Sequence, residues 1–287
     1  MSGGTTLWQE LCDLPHQLTY VQVGSWRTRV LQVGEGSRTI VLMNGTSGHL
    51  EAFTPNIRAL ACVGRVIAYD YPGHGYTTLA TTPLEIPDYE QHLLGLLDAL
   101  GIDKATLCGE SLGGWIAIKF AQHHPQRVTS LILAAPGGQM IAMPAMSATR
   151  SVSEKAVEDP TFDNVKERLQ VVIHNKALIT DELVESRRAI YARDGFAESM
   201  KSIMVLQNPE TRYRNRITDD DFAALPVPTL LVWTDHEPSG GVDTGERLAG
   251  LIPDGELLVI HDAAHWPQWE DPAAFNAAAV DFLERRA

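Results

Sequence analysis

The chain has 287 residues and a formal net charge of −13 at pH 7, with 44% hydrophobic and 21% charged residues. That length holds one large domain with an insertion, or two small ones, and the composition is that of a globular protein. The acidic balance, with no Lys/Arg block to neutralise phosphates, excludes a nucleic-acid footprint, and no apolar run reaches the roughly 20 residues that a membrane helix needs. The first residues, Met1-Ser-Gly-Gly-Thr-Thr6, lack the charged and apolar regions of a secretion signal. Cys12, Cys62 and Cys108 stand at unrelated spacings, which suggests neither a disulfide framework nor a zinc site. The expectation is a cytoplasmic protein with no metal.

In chain order, residues 20–33 alternate around turn residues Gly24-Ser25 and read as an antiparallel hairpin. Thr39 to Met43 is a continuous apolar strand that runs into the loop Asn44-Gly-Thr-Ser-Gly48, and a helix follows through Asn56 to Leu60. Arg65 to Tyr69 is the next buried strand, ending at Asp70-Tyr-Pro-Gly-His-Gly75. Tyr89 to Leu100 has helical spacing and stops at Gly101. Ala105 to Cys108 is a short apolar strand leading into Gly109-Glu110-Ser111-Leu112-Gly113, and a helix continues from Trp115 to about His124. Ser130 to Ala135 is another strand. From Met140 to about Thr218 no buried strand is evident, but Asn164–Ile173, Asp181–Ala192 and Phe196–Leu206 are amphipathic helices. Strands resume at Pro228–Trp233 and Leu257–His261, with a helix near Gly245–Leu251 between them and a last helix over Pro272–Arg286.

This alternation predicts an α/β fold, a mostly parallel sheet with helices on both faces. Residues 1–139 and 213–287 form its core, and 140–212 are a helical insertion. An insertion at the carboxyl edge of such a sheet lies over the crevice where ligands bind, as a lid.

The G-x-S-x-G stretch between a strand and a helix is a nucleophile elbow. Its glycines allow a sharp turn, and the Ser111 hydroxyl is held at a helix start where free N–H groups favour an anion. A serine needs a base, and the base needs an orienting acid. Both follow in the order acid, then histidine: Trp233-Thr-Asp-His-Glu-Pro238 offers Asp235 and Glu237, and His265 follows the last strand. His265 would act as general base and then general acid. The oxyanion would be held by the N–H of Leu112 and by N–H groups of Gly45 and Thr46. Of the other histidines, His16, His92, His123 and His124 read as solvated, His49 and His74 as structural, and Cys108 as a buried core residue.

These features resemble the α/β-hydrolase superfamily over nearly the whole chain, and within it the meta-cleavage product hydrolases, which break carbon–carbon bonds in 2-hydroxy-6-oxohexa-2,4-dienoates. Asn44-Gly-Thr-Ser-Gly-His-Leu-Glu-Ala-Phe53, Gly73-His-Gly-Tyr-Thr77, Gly109-Glu-Ser-Leu-Gly-Gly-Trp115 and His265-Trp-Pro-Gln-Trp-Glu-Asp271 carry the resemblance. The elbow and first loop are most similar to the branch acting on carbazole-type and biaryl products. The resemblance implies Ser111 as nucleophile, His265 as base and Glu237 as acid, where the family has Asp; Asp235 is the alternative. It implies substrate contacts from Arg187, which matches the arginine that binds the substrate carboxylate, from Trp266, and from Asn44 and Glu110, which replace the family's usual residues. No cofactor is implied. The expected partner is a small molecule bearing a carboxylate, and the relatives' assemblies suggest a homodimer or larger homo-oligomer. A carboxylesterase acting on carboxylate-bearing monoesters, such as phthalate monoesters, is the alternative activity. A non-catalytic small-molecule receptor on the same fold is the third reading.

Overall fold

A computed structural model describes residues 6–7, 9–140 and 143–286, with 143–149 described by backbone alone. Among the described residues, eight strands form one sheet: β1 His16–Val23, β2 Trp26–Val33, β3 Thr39–Met43, β4 Arg65–Tyr69, β5 Ala105–Glu110, β6 Val128–Ala134, β7 Thr229–Thr234 and β8 Gly255–Ile260. Their order is β1-β2-β4-β3-β5-β6-β7-β8. β1 and β2 are an antiparallel hairpin, and β2 runs antiparallel to β4. From β4 to β8 every pairing is parallel. The hairpin turns at Gly24-Ser25, where Gly24 takes a φ of 55°. β1 starts at His16 rather than Tyr20 because it is an edge strand whose outer face, including Leu18 and Tyr20, is exposed, so its first half carries no apolar alternation.

The central strands bury both faces. Along β3 and β4, Val41, Met43, Ile67 and Tyr69 join one apolar layer, and Ile40, Leu42, Val66 and Ala68 join the other. This is the period of two expected of a strand covered on both sides. Helices α1 (Thr54–Ala61), α2 (Ile86–Ala99) and α3 (Leu112–His123) cover the first half of the sheet. Ile57 and Leu60 of α1 lie in the second layer, while Leu93, Leu96, Leu97 of α2 and Ile116, Ile118 of α3 lie in the first. α2 opens with a reciprocal capping box between Glu85 and Asp88. His92, expected to be solvated, is instead 3% exposed. It sits beside Leu93 on the inward stripe of α2, stacks on Tyr69, and its Nε2 meets Thr28 Oγ1 at 2.8 Å.

Between β6 and β7 the regular elements among the described residues are all helical, the α-helices being α4 (Met143–Glu158), α5 (Phe162–Val172), α6 (Asp181–Tyr191), α7 (Phe196–Ile203), α8 (Pro209–Asn215) and α9 (Asp219–Ala223). Thr161 and Thr180 cap α5 and α6 through their hydroxyls. After β7 come α10 (Val242–Leu251), then β8, α11 (Pro267–Glu270) and α12 (Pro272–Glu284). Phe275, Ala279 and Phe282 of α12 pack with α1 in the second layer.

Candidate active site

Ser111 sits between β5 and α3 with φ 51° and ψ −110°, a strained conformation for a residue with a Cβ. The surroundings enforce it. A Cβ on Gly109 would stand 2.3 Å from the Gly113 carbonyl carbon, and one on Gly113 would stand 2.1 Å from the Met43 carbonyl oxygen. Only bare backbone lets α3 start this close to β3 and β5. The Ser111 N–H donates to Ala134 O, and its carbonyl accepts from Trp115 and Gly137 N–H, so the turn is held from three sides.

The ends of β7 and β8 bring the other groups to this turn. His265 Nε2 lies 2.9 Å from Ser111 Oγ, and His265 Nδ1 lies 2.8 Å from Glu237 Oε2. With the Nδ1 proton donated to Glu237, Nε2 is free to accept from the serine hydroxyl. The Ser239 N–H and hydroxyl donate to the other Glu237 oxygen at 3.0 and 2.7 Å. Burial alone would raise the Glu237 pKa; the charge and hydrogen bond of His265 and the Ser239 donors outweigh it and hold the carboxyl below its usual value. For His265, burial disfavours the imidazolium. The charge and hydrogen bond of Glu237 and the charge of Glu110 reverse this and lift it to about 9, with Arg168 pulling the other way.

Asp235 lies elsewhere. It faces His261 Nδ1 at 3.3 Å and accepts the N–H of Asp262 and Ala263. Of the two carboxylates the sequence left open, the one in contact with His265 is Glu237.

Leu112, Gly45, Thr46, Glu110, Arg187 and Trp266 line the same cavity as Ser111 and His265. The Leu112 N–H belongs to the first turn of α3, where helix donors lack intrahelical partners. Asn44 is not in the lining. It is 1% exposed, and its Nδ2 turns back onto Gly45 O at 3.1 Å, behind the loop. Glu110 is fully buried with Oε1 at 3.5 Å from His265 Nε2, and neither of its oxygens has a well-formed hydrogen bond. Burial lifts its carboxyl to about 7, against the pull of His265, the neighbouring Gly45 N–H and Arg187. Arg187 is 1% exposed and lies over the Tyr191 and Trp266 rings, donating from Nη2 to Ser47 O at 3.1 Å. Its neighbour Arg188 points outward to Glu185.

The cavity residues not singled out in the sequence include Arg168 of α5, Arg212 of α8 and Gln207 before α8. A signal for Arg168 was present. The buried stripe of α5 is Val165, Arg168, Leu169, Val172, so a charged residue occupies an apolar position at helical spacing. The same pattern, Leu183, Val184, Arg187, Ile190, marks α6.

The terminal His265-Trp-Pro-Gln-Trp-Glu-Asp271 stretch joins the core to the inserted helices. The His265 N–H donates to Val172 O at 3.0 Å. Glu270 Oε1 accepts from Ala264 N–H at 2.7 Å, and Oε2 accepts from the N–H of His174 and Asn175 at 2.6 and 3.2 Å. Trp269 Nε1 donates to Leu178 O. Outside the cavity lining, exposed His174, His236 and Asp262 come within mutual reach of one ion.

An eight-stranded sheet with a serine at the β5–α3 turn and a histidine after β8 is the architecture of the α/β hydrolases. The chain belongs to that family: the family profile described as alpha/beta hydrolase fold matches residues 38–272. A 2-hydroxy-6-oxononadienedioate/2-hydroxy-6-oxononatrienedioate hydrolase of Paraburkholderia phymatum is 31% identical over 268 residues, 90% of this chain and 91% of that protein. A 2-hydroxy-6-oxo-6-phenylhexa-2,4-dienoate hydrolase of Burkholderia cepacia is 30% identical over 272 residues, 91% of this chain and 92% of that protein. Among solved structures, a meta-cleavage product hydrolase from Pseudomonas fluorescens IP01 superposes with a TM-score of 0.82 at 26% identity, covering 94% of this chain and 98% of that one. The resemblance read from the motifs is therefore borne out, and the chain is a hydrolase.

Proposed function

We propose that the protein is a cofactor-free serine hydrolase that cleaves a carbon–carbon bond in 2-hydroxy-6-oxohexa-2,4-dienoates. Ser111 is the nucleophile, His265 the base and Glu237 the orienting acid. The observation that carries this reading is the continuous chain Ser111 Oγ–His265–Glu237 at 2.9 and 2.8 Å, opening into a cavity that also holds the buried Arg187 guanidinium. The first part is the apparatus for attack on a carbonyl; the second suits a substrate with a carboxylate. Relatives named for dienoate cleavage support the same choice of bond.

The chemistry follows from what each group can do. Breaking a C–C bond requires the electrons to be accepted by the departing carbon. Transfer of the dienol proton to C5, assisted by His265, makes the fragment leave as a stabilised enolate. Ser111 then attacks the C6 ketone as its proton passes to His265, while N–H groups of Leu112 and the Gly45–Thr46 loop hold the oxyanion. Collapse breaks the C5–C6 bond, the fragment leaves with the proton, and water releases the acid from Ser111. The inserted helices, 140–212 by the sequence, serve as a lid that supplies Arg187.

The test is turnover of a 6-phenyl dienoate, followed by loss of its yellow absorbance, beside a panel of aryl and phthalate monoesters. Fast bleaching with slow ester cleavage is expected, and Ser111→Ala should abolish it. Fast ester cleavage with the dienoate untouched would replace this reading with the carboxylesterase. Failure of Ser111 to react with a fluorophosphonate would favour a receptor.

A further inference from the structure

His174, His236 and Asp262 stand outside the cavity, and the reaction makes no use of them. Each is the second residue past its element: His174 after α5, His236 after β7 and Asp262 after β8. All three are exposed, and each offers a ligand atom within 4.8 Å of the other two; no other such group occurs among the described residues. The two imidazoles lie face to face, with ring centres 3.8 Å apart and planes 7° from parallel. One ring comes from the inserted helices and the other from the core.

The side chains are exposed, yet the main chain beneath each is pinned. The His174 N–H donates to Glu270 Oε2 at 2.6 Å, the His236 N–H to Ala263 O at 3.1 Å and the Asp262 N–H to Asp235 Oδ2 at 3.1 Å. Asp235, left over when Glu237 takes His265, also brings Oδ1 to 3.9 Å from His236 Nε2. With Asp262 it sets two carboxylates here, matching the charge of a divalent cation. Two imidazoles and a carboxylate are the donors of a borderline cation of the zinc class, whereas calcium and magnesium favour oxygen alone. Ligand atoms around tetrahedral zinc stand roughly 3.4 Å apart, so these side chains have at most about 1.4 Å to close. Exposed rotamers on a fixed backbone can supply that.

We propose that His174, His236 and Asp262 bind one divalent transition-metal cation, for which zinc is the probe, and that the ion clamps the inserted helices to the core. Water completes the coordination. The clamp lies beside the reaction centre without entering it: His236 precedes Glu237, and His174 lies two residues beyond Val172, whose carbonyl accepts the His265 N–H. The ion takes no part in bond cleavage, so the inference stands whichever bond the serine attacks.

The experiment titrates the metal-free full chain with zinc chloride in a calorimeter. One ion should bind with micromolar affinity or better, and His174→Ala, His236→Ala and Asp262→Asn should each weaken it by about tenfold or more. Asp262 has a φ of 54°, which asparagine also accepts, so that variant keeps its loop. His123→Ala, which removes an exposed histidine beside Glu90, should bind like the wild type. Zinc at a hundredfold excess over Kd should raise the wild-type Tm by about 5 °C and that of the three variants by at most about half as much. Amide exchange over residues 173–178 should slow when zinc is bound. Absence of saturable binding overturns the proposal. So does equal binding by the three variants, which would leave scattered surface histidines as the ligands. Weakening in His236→Ala and Asp262→Asn but not in His174→Ala would put the ion on the core alone and overturn the clamp. Should a variant fail to fold, cobalt(II) on the wild type decides: intense visible bands of a low-coordinate site support the proposal, and the weak bands of the hydrated ion overturn it.

Discussion

Glu110 has the most unusual setting of any side chain in the cavity. It is a buried carboxyl raised to about 7, beside an imidazole raised to about 9 partly by its charge. The titratable groups that act on it or on which it acts are His265, Arg187, Glu237, Arg168 and the buried, neutral Tyr71. His265 works as a base only when neutral, so kcat/KM rises with pH through its pKa. A negative Glu110 favours the imidazolium and pushes that rise to higher pH. Glu110→Gln removes the charge, and the acidic limb of the kcat/KM profile should move to lower pH. A limb that stays put would mean Glu110 is protonated throughout. The sequence identified Glu110, Ser111, His265 and Arg187 because each sits in a short motif. It could not separate Glu237 from Asp235, two residues apart on one turn, since the choice depends on how the β7 and β8 ends are spaced. Arg168 belongs to no motif and shows itself only through its position on a helical stripe.

At the scale of elements, the elbow depends on backbone proximity more than on side-chain packing. Gly113→Ala would drive a methyl into the Met43 carbonyl, so α3 must move off the sheet. Its cost should be about 3 kcal/mol, with loss of the Ser111–His265 alignment. Gly250→Ala on α10 is the contrast. A Cβ there meets nothing within 4 Å, and exchanging glycine for alanine in a helix should gain up to about 1 kcal/mol. Thermal unfolding of the two variants should therefore move in opposite directions from the wild type. Helices α5 and α6 and the central strands were legible because their apolar periodicity is strong. α4 was not, because Met143-Pro-Ala-Met-Ser-Ala-Thr-Arg150 mixes small and polar residues without a stripe.

For the whole molecule, acid sensitivity is set in part by histidines held neutral in the interior. Burial lowers His92 to about 3; it lowers His74 to about 4 despite the Pro72 carbonyl on its Nδ1. The unfolded chain takes up these protons near pH 6.5 while the folded one resists until about pH 3 to 4. Their stabilisation is thus complete above pH 6.5 and declines as pH falls, by about 1.4 kcal/mol per pH unit for each group. His92→Gln cannot titrate, so the gap in Tm between the wild type and this variant should narrow from pH 7 to pH 5. A constant gap would mean that His92 is charged in the fold. The sequence placed His92 in solvent because nothing in a lone helical histidine announces the Tyr69 ring that covers it. The parallel sheet, by contrast, was readable in advance, since apolar runs bounded by turn residues recur along the whole core.

Where the His265–Asp271 stretch meets the inserted helices, the hydrogen bonds come, on the inserted side, from main-chain atoms: the Val172 and Leu178 carbonyls and the His174 and Asn175 N–H groups. Every residue but proline offers the same N–H, and every residue the same carbonyl. The side chains of α5 and α6 can therefore drift through mutation while the grip on His265 and Glu270 stays the same. A scaffold joined in this way can trade one substrate for another in small steps, each leaving the reaction centre in register.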